Sequence, residues 1–109
     1  MKSLGFVEVQ SVTAAIDCLD NMCKAADVEF VTWERRLGGR LVTIVVEGRV
    51  SAVTAAIEAA KSCSVIKPAA TAVIANPHSE TRRMVDLSAS RIKKAQAKKS
   101  NSEKYIQEV

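Results

Sequence analysis

Residues 33–48 read WERRLGGRLVTIVVEG, and this stretch decides how the rest of the chain folds. Leu41-Val42-Thr43-Ile44-Val45-Val46 has the length and β-branched content of a buried strand. Gly38-Gly39 stands between that run and an extended run ending at Trp33-Glu34, which is a hairpin signal. Arg35, Arg36 and Arg40 crowd around the two glycines, so guanidinium groups and bare backbone N–H groups share one turn where an anion can be met. A solvated, positively charged hairpin tip is the plainer reading of the same residues.

Working outward, Val28–Trp33 reads as the second strand, and the hairpin supplies the third, broken at Gly48. Upstream, Leu4–Val9 is a first strand and Ser11 a helix N-cap. The following helix runs to about Ala26, with Val12, Ala15, Ile16, Leu19, Cys23 and Ala26 expected on its inward face. Downstream, a second helix covers Val50 to Cys63, with Val50, Val53, Ile57 and Ala60 inward. Ala70–Ala75 is a fourth strand fenced by Pro68 and Pro77, and a short helix from Ser79 to Leu87 follows. Val12-Thr-Ala-Ala-Ile-Asp17 recurs as Val53-Thr-Ala-Ala-Ile-Glu58, each in a helix after a strand. The order is therefore βαβ twice. It predicts an α+β, ferredoxin-like βαββαβ fold, two helices on one face of a four-stranded antiparallel sheet, plus the short C-terminal helix. The other sheet face needs a cover, from more chain or from a partner subunit.

The 109 residues make one domain with a modest core. Apolar content is mainly Ala and Val, with only 4% aromatic residues, so helices can sit close to the sheet. Residues 1–87 carry 10 Lys/Arg and 10 Asp/Glu, whereas residues 88–109 carry 6 against 2, so the whole net charge of +4 lies in the tail. Cys18, Cys23 and Cys63 are odd in number, lie in apolar helical contexts and follow no secretory signal, which reads as reduced core thiols in a cytoplasmic protein. Cys18 and Cys23 fall about 140° apart around a helix and do not form a metal site together. No metal and no cofactor is expected. No apolar run approaches the roughly 20 residues that cross a bilayer.

Taken in order, Leu4-Gly5-Phe6-Val7-Glu8-Val9, Lys24-Ala25-Ala26, Trp33-Glu34, Leu41–Gly48 and Ala75-Asn76-Pro77-His78 resemble the pattern of bacterial microcompartment shell proteins. The resemblance is to the single-domain hexameric type of carboxysomes and of propanediol- and ethanolamine-utilisation compartments, and it covers about residues 3–87. It implies a shell domain over 1–87; residues 88–109, with helix formers up to Lys99 and then a Ser-Asn-Ser break, read on their own as a basic C-terminal extension, partly helical or disordered. The resemblance also implies a structural, non-enzymatic tile: a homo-hexamer packing edge to edge with other shell proteins around enclosed enzymes. The basic tail lies outside the resemblance; its thin apolar stripe reads first as a frayed, solvated extension and second as an electrostatic tether to enclosed enzymes or another acidic surface. The central pore implied by the family is lined here by Arg36, Leu37, Gly38, Gly39 and Arg40, which suits small anionic metabolites. Lys24, Asn76 and His78 fall on the implied tile edge. Three departures stand out: the pore loop is one residue longer than the usual Lys-Ile-Gly-Ser-Gly and lacks its serine, Asn76 replaces an arginine, and Arg49 stands where an aspartate often caps the second helix.

Other classes fit less well. An RNA-recognition module would stack bases on aromatics of its first and third strands, and only Phe6 is available. His78 is the sole histidine, without a Cys, His or carboxylate set at catalytic or ligand spacing, and capping a helix or packing at an edge suits it better than acting as a base. A ferredoxin-like regulator holding an anion or nucleotide at the Arg-Gly turn is the remaining alternative.

Overall fold

The computed structural model describes residues 2–63 and 66–107, without side-chain detail at 63 and from 100 onward. Four strands, β1 (Ser3–Val9), β2 (Glu29–Arg36), β3 (Leu41–Gly48) and β4 (Ala70–Ile74), are joined through helices α1 (Val12–Ala25) and α2 (Val50–Cys63), and α3 (Ser79–Gln107) follows. The sheet order is β2-β3-β1-β4 with every neighbouring pair antiparallel, the expected ferredoxin-like arrangement. Ser11 caps α1 as expected, its Oγ accepting the amide of Ala14 at 2.9 Å.

Strand alternation sorts two cores onto the two sheet faces. Val7, Val9, Val42, Ile44 and Val46 turn toward α1 and α2, where they meet Ala14, Ala15, Cys18, Met22, Val53, Ala56, Ile57 and Ala60. Small residues set the spacing. A Cβ on Gly5 would stand 2.8 Å from Val53 Cγ1 and 3.3 Å from Ile57 Cδ1, so α2 lies on β1 at a distance only glycine allows.

This close approach also corrects the expected helix faces. α1 buries Ala14, Ala15, Cys18 and Met22, while Ile16 is 55% exposed and Cys23 lies at the surface. The inward line is rotated toward the alanines, because two close helices accept methyl groups where an isoleucine would hold them apart. Cys18 is thus a core thiol and Cys23 is not; the side chain of Cys63 lies outside the described residues. In α2, Val50 is exposed and Ala56 takes its place inside.

β2 runs three residues beyond Trp33, because Arg35 and Arg36 pair with Val42 and Leu41. A bulge between Phe30 and Thr32 inserts one residue into the ladder. Phe30 and Trp33, three apart, therefore oppose Val46 and Ile44, both of which face α1 and α2. Thr32, opposite Val45, turns to the other face.

That second face is covered in part by α3. Val85 packs with Leu4 and Val45, with Phe6 and Val31 beside them. Thr32 Oγ1 and Ser88 Oγ are hydrogen-bonded at 2.7 Å, and an Arg82–Glu47 ion pair at 2.5 Å ties the start of the helix to β3. The helix expected to close at Leu87 continues through Ser100-Asn101-Ser102 to Gln107, and its inward line of Val85, Ser88 and Ile92 crosses the boundary drawn at residue 87. Among the described residues, no helix is long and apolar enough to cross a membrane.

Candidate functional site

The hairpin tip begins where β2 and β3 part after the Arg36–Leu41 pair. Leu37 (φ 53°), Gly38 (φ 66°) and Gly39 (φ 87°) are all left-handed, and Arg40 returns to the right-handed region. Three consecutive positive φ values require the glycines, and Leu37 adopts a conformation that side-chain-bearing residues avoid. Leu37 is 70% exposed, so no core packing compensates it. Gly39 sits against Val12, whose Cγ2 would be 3.1 Å from an added Cβ, whereas a Cβ on Gly38 would meet open space.

Of the arginines, Arg40 folds over the loop, donating from Nε and from its amide to the carbonyl of Leu37 at 3.2 and 3.4 Å. The hairpin ion pairs open to Arg40 do not form, since Glu47 is engaged by Arg82 and Lys2, and Glu34 by Ser88 and Arg91. Arg35 stacks on Trp33, with its guanidinium carbon 5.3 Å from the ring centroid. Arg36 is exposed. The tip thus presents cations, an apolar Leu37 and bare glycine backbone.

The edge residues gather at the other end of the sheet. Ser3 pairs with Gly48 and donates its hydroxyl to the carbonyl of Ala75 at 2.6 Å, fixing the turn Asn76-Pro77-His78 there. α1 also ends there, where Glu29 opposite Glu47 starts β2, so Lys24 in its last turn joins the same edge. The eight-residue β3 sets the two groups about 25 Å apart. Lys24 Nζ holds Asp20 at 2.6 Å, and this hydrogen bond and charge raise the ammonium above its ordinary value. Asn76 is exposed and Pro77 buried. His78 caps α3: its Nδ1 accepts the amide of Glu80 at 3.0 Å and its carbonyl that of Arg82. Arg49 directly precedes α2, its carbonyl accepting the amide of Val53.

Three features escaped the residue pattern: the Arg35–Trp33 stack, the Arg82–Glu47 lock and the placing of Arg91 beside Glu34. Trp33 and Arg35 stand two apart on β2 and so share a strand face, a signal by which that pairing was open to reading, whereas the helix partners come from more than 30 residues away.

The family model of the BMC domain matches residues 3–77 of this sequence. The chain belongs to the BMC domain family. Its relatives include the bacterial microcompartment shell protein PduA of Citrobacter freundii, 40% identical over 86 residues that cover 77% of this chain and 91% of that one. The carboxysome shell protein CsoS1C of Hydrogenovibrio crunogenus is 38% identical over 88 residues, 78% of this chain and 85% of its own. Among solved structures, a microcompartments protein from Desulfitobacterium hafniense DCB superposes with a TM-score of 0.69 at 26% identity, covering 81% of this chain. This BMC chain spans about half of that solved chain, 48% of its length. Family membership makes the protein a structural component of a microcompartment shell rather than an enzyme. The matched residues stop at Pro77, so α3 lies outside them.

Proposed function

We propose that the chain closes into a cyclic homo-hexamer, with the hairpin tips around the six-fold axis and Lys24, Asn76 and His78 on the outer edge where tiles meet each other and other shell proteins. The observation that carries this is the separation of the two residue groups to opposite ends of an eight-residue strand. A wedge-shaped subunit in a ring needs one end at the axis and the other at the perimeter, and heterologous interfaces that close leave none unsatisfied. The half-covered sheet, with Ala70, Ala72 and Val73 exposed on β4, offers apolar surface for such contacts.

In this ring Arg36, Leu37, Gly38, Gly39 and Arg40 line the pore. One arginine becomes six, a field that favours anions, and bare glycine backbone lets six loops approach the axis. Arg40 is steadied by the Leu37 carbonyl through Nε. The pore therefore admits small anions such as carboxylates, phosphate or sulfate. Lys93, Lys94 and the rest of the basic end of α3 supply a charged surface to enclosed enzymes.

A crystal soaked in sulfate tests the pore. Density on the six-fold axis beside Gly38-Gly39, lost in Arg36→Ala/Arg40→Ala with the hexamer intact, is the expected result. An axis closed by six Leu37 side chains would contradict it.

A further inference from the structure

We infer that the groove between the base of the hairpin and α3 is a second anion site, set apart from the hairpin tip, that binds a small multivalent oxyanion such as a phosphate ester or a polycarboxylate. The groove, of about 370 Å³, is lined by Trp33, Arg35, Arg91, Ile92 and Lys99 together with Glu34. That volume is in the range that small ligands occupy.

Among the described residues its charge is not balanced. Arg35, Arg91 and Lys99 face one carboxylate, Glu34, and that carboxylate is already engaged: Ser88 Oγ donates to its Oε1 at 2.5 Å and Arg91 Nη1 lies 3.6 Å from the same oxygen. The long Arg91 contact leaves most of the guanidinium's five donors unspent, and its side chain is 65% exposed. Arg35 is held over Trp33, its guanidinium carbon 5.3 Å from the ring centroid, and a cation–π contact spends none of its N–H donors. Lys99 follows Ser88 by eleven residues, three turns of α3, and so returns to the side that faces the hairpin. Two arginines and a lysine from two separate elements thus line one concavity.

The chemistry selects a multivalent oxyanion. Guanidinium forks match carboxylate and phosphate edges with paired hydrogen bonds, and several such groups together reward a ligand carrying more than one negative charge. Trp33 and Ile92 add apolar surface to the same lining, against which the carbon frame of a ligand can rest. The site is complete within one chain and does not depend on the ring or its pore. Arg91 and Lys99 lie beyond the residues that match the family model, so the groove is a property of this chain's extended helix.

Titration calorimetry of the full chain tests it, with inorganic pyrophosphate and citrate as the two probes and acetate as the monovalent control. Saturable one-to-one binding of pyrophosphate, citrate or both is expected, and the pair of isotherms tells the phosphoryl from the carboxylate source; acetate is expected to give none. Arg91→Ala/Lys99→Ala should weaken binding by about tenfold or more. Both positions tolerate alanine in a helix, and unchanged circular dichroism and native mass confirm the fold. Lys99→Gln alone provides a milder variant. Lys93→Ala/Lys94→Ala, which removes the same charge from the same helix, and Arg36→Ala/Arg40→Ala should each leave binding within about twofold. Absence of binding for both probes, equal loss in the Lys93/Lys94 variant, or loss confined to the Arg36/Arg40 variant would overturn the groove, the last of these without touching the pore.

Discussion

The hydroxyls of Thr32 and Ser88 lie 2.7 Å apart, both residues buried, and join the first half of α3 to β2 across 56 positions of sequence. Ser88 Oγ also reaches Glu34, so one side chain serves two polar groups of the strand. Ser88→Ala leaves the Thr32 hydroxyl buried without its partner and is expected to cost about 1–3 kcal/mol. Urea unfolding should show a lower midpoint at unchanged slope. Adding Thr32→Val should recover part of the loss, and a neutral Ser88→Ala would show that α3 is not seated as described.

Gly5 tests how closely α2 lies on the sheet. An added Cβ meets Val53 Cγ1 at 2.8 Å and two further side chains within 3.3 Å, so Gly5→Ala should destabilise by about 1–3 kcal/mol through overpacking. The measurement is again an unfolding midpoint. A stabilised Gly5→Ala would contradict the close approach that rotates the α1 and α2 faces.

Much of this was legible in the residues. The β-branched run, the double glycine and the repeated Val-Thr-Ala-Ala-Ile motif fixed element order, because each is a local signal of backbone preference. The inward face of α1 was not, since its burial depends on how near α2 and β1 come, and apolarity alone ranks Ile16 above Ala14. The length of β2 was hidden because arginines carry no strand signal, yet their backbones pair with Val42 and Leu41. The inward line of α3 was hidden because a serine occupies its middle, satisfied only by residues of β2. At the site, the glycines announced the turn, but the left-handed Leu37 and the Arg91–Glu34 approach are tertiary facts.

Lys24 should govern the joining of tiles. It is exposed and held by Asp20, so Lys24→Asp removes no core contact and places two carboxylates one turn apart at an edge. Hexamers should persist while sheets or tubes vanish from negative-stain fields; unaltered sheets would reduce Lys24 to a partner of Asp20.

The same pair sets a pH window. Asp20 raises the Lys24 ammonium above its ordinary 10.5, so what the pair contributes is fully present below that pH and fades as pH rises through the raised value. Sheet assembly followed by light scattering should therefore be flat across neutral pH as far as Lys24 is concerned. A Lys24-dependent transition near pH 7 would contradict this assignment.

Removing residues 90–109 spares Val85 and Ser88, the buried contacts of α3, and takes away the half-buried Ile92 with the basic stretch. Hexamer mass and sheet spacing should not change. Dissociation on truncation would show that the end of α3 clamps neighbouring subunits.

The ring itself is tested most directly by native mass spectrometry of the purified full chain at micromolar concentration, read beside negative-stain projections. The expected species has six times the 11.8 kDa chain mass and six-fold projections with density thinnest at the centre. A monomer, or a closed trimer that forms no layers, would contradict the hexameric tile.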